Sequence, residues 1–110
     1  MDEVLKDRII GLTKSKRVVL FMKGNKMFPQ CGFSAQVVGI LKETGVDFDT
    51  HNILSDAELR QGLKEISNWP TFPQLYIDGK LVGGCDIVTE MHESGQLTEM
   101  LSGAAAAQGN

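Results

Sequence analysis

The chain has 110 residues, 42% of them hydrophobic and 23% charged, enough to bury one core and not two, so a single domain is expected. A formal net charge of -3 and a pI near 5.3 leave no basic field to hold nucleic acid or an anionic membrane surface. Two cysteines, Cys31 and Cys85, are too few for the disulfide framework of a small secreted domain and favour an intracellular, reducing compartment.

Residues 2–15 carry Leu5, Ile9 and Leu12 at helical spacing with charges between them, which predicts an amphipathic helix. They lack the layout of a signal peptide. The run VVLFM, 18–22, is rich in β-branched residues and reads as a strand buried on both faces; it is far too short to cross a bilayer. Residues 24–30, with Gly24, Asn25 and Pro29, read as a loop. Val37, Val38, Ile40 and Leu41 predict a helix over 34–44, and Gly45 stops it. FDTHNI, 48–53, alternates as a second strand, and Ser55 to Glu58 match a capping box opening a helix with Leu59, Leu63 and Ile66 on one face. The prolines of WPTFP exclude helix, after which PQLYI, an Asp78-Gly79 turn and KLVGG form a hairpin. Asp86 is the expected N-cap of one final helix carrying Ile87, Met91, Leu97 and Leu101. The order predicts an α/β fold: a small mixed sheet with helices on both faces.

Three stretches carry chemistry. If Cys31, in PQCGFS, opens a helix, its sulfur lies at the positive end of the helix dipole, where the thiolate is favoured, and Lys23 can add a positive charge. A free cysteine is more usually a small buried hydrophobe, but Pro29, Gly32 and Ser34 surround this one with turn and cap residues. Thr71 and Phe72, extended before Pro73, offer backbone that can pair with an extended peptide; by composition they read equally as a strand-entry turn packed by Trp69. GGCD, 83–86, is either an anion-binding helix start with the Asp86 carboxylate or an ordinary capped turn. Arg60 and Lys64 share one helix face and by themselves read as solvated surface. Together these pieces describe a groove with a thiolate at one end and cations for carboxylates, suited to a short acidic thiol peptide.

KGNKMFPQCGFS, NWPTFPQLYIDG and GGCD, in this order, resemble the monothiol glutaredoxins of the CGFS class, in the thioredoxin superfamily. The likeness runs from about Val4 to about Leu101, so residues 1–103 are expected to form one glutaredoxin domain and 104–110 a disordered tail. It implies the thioredoxin/glutaredoxin fold, a four-stranded mixed sheet flanked by helices, with a cis bond before Pro73. It also implies glutathione binding: Lys23 beside the active thiol, Arg60 and Lys64 near the glycine carboxylate, Thr71, Phe72 and Pro73 along the cysteinyl part, Cys85 and Asp86 at the γ-glutamyl end.

Two functions follow from the resemblance. In the preferred one, a [2Fe–2S] cluster takes four ligands, the Cys31 thiolate and one glutathione thiol from each of two chains. Such a homodimer would pass its cluster to iron–sulfur acceptor proteins or form mixed complexes with BolA-like proteins. Ser34, in place of a second thiol, leaves Cys31 free to coordinate iron. The alternative is a monothiol oxidoreductase in which Cys31 takes glutathione from protein mixed disulfides, with Cys85 as a resolving thiol. The motif wording is most similar to plastid members, which points to the chloroplast stroma, although mitochondrial and cytosolic relatives share it.

Overall fold

In the computed structural model the backbone is described for residues 1–109 and the side chains for residues 1–102. The tail expected at 104–110 therefore lies outside the residues described with side chains. The elements run α1 (Glu3–Leu12), β1 (Val18–Met22), α2 (Gly32–Thr44), β2 (Asp49–Asn52), α3 (Ala57–Ser67), β3 (Gln74–Ile77), β4 (Lys80–Gly83), α4 (Cys85–Ser94) and α5 (Gln96–Gly109). The four strands form one mixed sheet in the order β2-β1-β3-β4. β1 pairs parallel with β2 and antiparallel with β3, and β3 pairs antiparallel with β4. No helix among the described residues is long and apolar enough to cross a membrane.

All five residues of β1 are buried because the strand sits centrally and alternate side chains enter different cores. Val18, Leu20 and Met22, with Leu75 and Ile77, pack against Val37 and Leu41 of α2, Val88 of α4 and Leu97 of α5. Val19, Phe21 and Tyr76 face Ile9 of α1 and Leu59 and Leu63 of α3. Each such side chain, taken fully from water, contributes about 1.5–3 kcal/mol. On the second side α1 and α3 meet so closely that a Cβ on Gly62 would stand 2.3 Å from Ile9 Cδ1.

Three boundaries differ from the sequence expectation. α3 is capped by Asp56, whose carboxylate accepts from the Leu59 N–H at 3.1 Å, while Ser55 donates instead to the Asn52 carbonyl. Asp56 wins because a carboxylate both caps the helix and pairs with Arg8 across the α1–α3 contact. The expected last helix is two, broken where Gly95 adopts φ 83°. Asp86 is not its cap; Gly84 is, and Asp86 sits in the first turn.

Candidate functional site

Strand directions bring the site to one edge of the sheet. β1 ends there at Met22; β3, antiparallel to it, starts there; β4, antiparallel again, ends there at Gly83. The three segments singled out by sequence, Lys23 to Ser34, Trp69 to Pro73 and Gly83 to Asp86, therefore converge.

Cys31 is the N-cap of α2, in extended conformation and without a side-chain cap bond, so its sulfur meets the unpaired amides of the first turn. Its thiol pKa is lowered, chiefly by the Ser34 backbone N–H and further by the Phe33 N–H, the Lys23 charge and the Ser34 hydroxyl; partial burial opposes them. Ser34 is fully buried, and its Oγ also accepts from the Lys23 backbone N–H at 3.2 Å. The loop before Cys31 is tightly tied. Asn25 Oδ1 accepts from the Met27 and Phe28 amides, each at 2.9 Å. The Gly24 N–H reaches Asn52 Oδ1 at 3.0 Å, and Lys26 Nζ donates to the Phe48 carbonyl at 2.7 Å. Met27 and Phe28 nevertheless remain 72% exposed.

Beside the thiol lies a cavity of about 410 Å³. Every residue predicted for the ligand lines it: Lys23, Arg60, Lys64, Thr71, Phe72, Pro73, Cys85 and Asp86. Cys31 is not among the lining residues; it adjoins them through Lys23 and Phe33, both of which act on its thiol. The Phe72–Pro73 peptide is cis. In the turn into α4, Gly83 has φ 152°, which favours glycine, and a Cβ on Gly84 would stand a tight 3.2 Å from the Pro73 carbonyl oxygen. The lining also includes Trp69, read from the sequence only as packing, together with Pro70, Gly84 and Ile87. Gln74 and Tyr76, which brace this segment from inside, escaped the sequence reading; a glutamine heading a strand of hydrophobic residues was the available signal.

The glutaredoxin family model matches residues 18–82. The chain is 52% identical over 106 residues to an uncharacterized monothiol glutaredoxin of Synechocystis, covering 96% of this chain and 99% of that one. The chain belongs to the glutaredoxin family. It falls among the monothiol glutaredoxins, since a chloroplastic monothiol glutaredoxin of rice, S7, is 57% identical over 98 residues, covering 89% of this chain and 56% of that one. Human Glutaredoxin-3 is 56% identical over 99 residues, 90% of this chain but only 30% of that longer protein. Among solved structures, reduced poplar apo GrxS14 superposes with a TM-score of 0.82 at 56% identity, covering 93% of this chain and 94% of that one. A buckwheat glutaredoxin–glutathione complex gives 0.79 at 26% identity, with 96% and 98% covered. The four-stranded mixed sheet of this glutaredoxin is thus the thioredoxin fold, as expected from its motifs.

What the arrangement can do chemically follows from its donors. A thiol with a lowered pKa, adjoining a groove lined by Lys23, Arg60 and Lys64, suits a thiol ligand bearing carboxylates. Among the described residues no group of three or more His, Cys, Asp or Glu side chains converges to hold a metal ion.

Proposed function

We propose that this glutaredoxin binds and hands on a [2Fe–2S] cluster as a glutathione-dependent homodimer. The observation that carries the reading is a thiolate-stabilised Cys31 with the buried hydroxyl of Ser34 where a second thiol would stand, next to the cationic groove. A neighbouring thiol would close a disulfide; a hydroxyl cannot. Glutathione, which the buckwheat relative binds, fits the groove with its glycine carboxylate toward Arg60 and Lys64 and its γ-glutamyl carboxylate toward the α4 N-terminus, and with its cysteinyl part along Thr71, Phe72 and Pro73, beside Lys23 and the thiol. Cys85 and Asp86 then meet the γ-glutamyl end. A cluster takes four ligands; Cys31 and one glutathione thiol supply two, and a second copy supplies the rest. Acceptors are iron–sulfur proteins, BolA-like proteins form mixed complexes with the chain, and the plastid stroma is the compartment that the rice relative's chloroplastic description favours.

The test is anaerobic reconstitution with iron, sulfide and glutathione, followed by absorption spectra, iron and sulfide analysis and native mass. A coloured dimer with one cluster and two glutathiones, lost without glutathione or in Cys31→Ser, is the expected result. A colourless monomer overturns the reading.

The lowered thiol pKa and the position of Cys85 on the groove also favour a second activity. The Cys31 thiolate attacks the glutathione sulfur of a protein mixed disulfide and the protein thiolate leaves. A second glutathione thiolate then attacks the Cys31-bound glutathione, releasing glutathione disulfide and restoring the Cys31 thiolate. This activity needs no iron, which separates it from cluster transfer.

A further inference from the structure

The backbone that lines the groove between α3 and β3 is gripped from behind. Gln74, the first residue of β3, is fully buried. Its Nε2 donates to the Trp69 carbonyl at 3.1 Å and to the Thr71 carbonyl at 3.3 Å. Its Oε1 accepts from the Tyr76 hydroxyl at 3.1 Å, in a bond closed to solvent. A buried amide is costly unless its groups are bonded, and the other three residues of the strand are hydrophobic, so packing alone would be served by an aliphatic side chain. What the amide adds is a hold on Trp69 and Thr71, which belong to neither α3 nor β3. The other side of the same segment is tied to α3: the Trp69 N–H donates to Ser67 Oγ at 3.1 Å, and that hydroxyl donates to the Leu63 carbonyl at 2.6 Å. α3 is the helix that brings Arg60 and Lys64 to the groove. One chain of hydrogen bonds thus links the cationic helix, the extended segment and the sheet.

We propose that Gln74, oriented by the Tyr76 hydroxyl, is a positioning residue for glutathione that sets the Thr71–Phe72 backbone relative to Arg60 and Lys64, a role that rests on the glutathione reading above. With the Thr71 carbonyl bonded inward, its peptide unit is held in one orientation before any ligand arrives, so ordering it costs less on binding. Tyr76 does not line the groove; two residues along one face of the strand, it reaches the Gln74 amide, and its hydroxyl also interacts with the Ser67 side chain that holds the Trp69 N–H.

Glutathione binding is measured by calorimetry for the wild type, Gln74→Met, Tyr76→Phe and the double variant. Methionine matches glutamine in length and removes all three hydrogen bonds. Affinity is expected to fall about ten-fold in Gln74→Met and about three-fold in Tyr76→Phe, and the double variant is expected to lose less than the product of the two, because the two groups share one hydrogen bond. Amide spectra supply the readout that a general loss of stability would not move. At saturating glutathione the ligand-induced shifts of Thr71 and Phe72 shrink in Gln74→Met while that of Lys64 is retained. A folded Gln74→Met with wild-type affinity overturns the assignment, as do shifts at Thr71, Phe72 and Lys64 that shrink together. Should Gln74→Met not fold, Tyr76→Phe decides, and wild-type affinity there overturns it equally. A wild type that binds no glutathione overturns the glutathione reading itself and this role with it, an outcome distinct from the variant results.

Discussion

At the scale of single residues the site depends on which groups face the Cys31 sulfur. The largest contribution to its lowered pKa is a backbone N–H, that of Ser34; the Lys23 charge and the Ser34 hydroxyl add less. Alkylation of Cys31 followed against pH should therefore show a midpoint below that of an ordinary cysteine. Lys23→Ala and Ser34→Ala should each move it upward without restoring the free-cysteine value, because both leave the amide in place; full restoration by Ser34→Ala would show that the hydroxyl dominates. Lys64 lines the groove with Arg60, and Lys64→Glu replaces an attraction for a carboxylate by a repulsion. Glutathione should bind about ten-fold more weakly, and unchanged affinity by calorimetry would remove Lys64 from the binding set. The cysteine, its serine neighbour and the cations were all legible as residue types. The roles of Arg60 and Lys64 came only from the family motifs, because a cation on a helix face looks the same in sequence whether it meets water or a ligand.

Among the elements, α3 shows how a local rule and a distant contact combine. Asp56 caps it and also pairs with Arg8 of α1, and the Arg8 hydrogen bond is the main reason its carboxyl pKa is lowered. A carboxyl whose folded pKa lies below its unfolded value of 3.8 stabilises the fold above that pH and loses the contribution as pH falls through the folded value. Asp56→Ala should cost about 1 kcal/mol near neutral pH. In urea titrations repeated on acidification, the gap between wild type and variant should narrow; a gap independent of pH would argue against the ionised cap. Gly62 is set by packing, since Ile9 fills the space where its Cβ would be. Gly62→Val should destabilise by about 1–3 kcal/mol through overpacking, read as a lower urea midpoint with unchanged slope. Helix and strand identities followed from periodicity throughout, whereas the Ser55 capping box gave way to Asp56 because Arg8, 48 residues away, lies beside it.

For the whole molecule, what matters is that three chain segments and two helix-borne cations share one edge of the sheet. Because Lys23, Arg60 and Lys64 converge on a partly open groove, glutathione affinity should fall as salt is raised from about 0.05 to about 0.5 M. Lys64→Glu should flatten that dependence, and a salt-independent wild-type affinity would count against the cationic groove. Taken alone, the sequence determined the kinds of elements and their order, the lone thiol at a helix start, the hairpin turn where Asp78 and Gly79 both take positive φ, and the family. These are local properties, written in spacing, turn residues and contiguous motifs. Only the tertiary structure decided the strand order β2-β1-β3-β4, the convergence of the predicted ligand residues on one cavity and the hold of Gln74 and Tyr76 on the groove segment. Each of these depends on groups that meet only after the strands have paired and the helices have packed, and periodicity records which face of an element is buried, not what it is buried against.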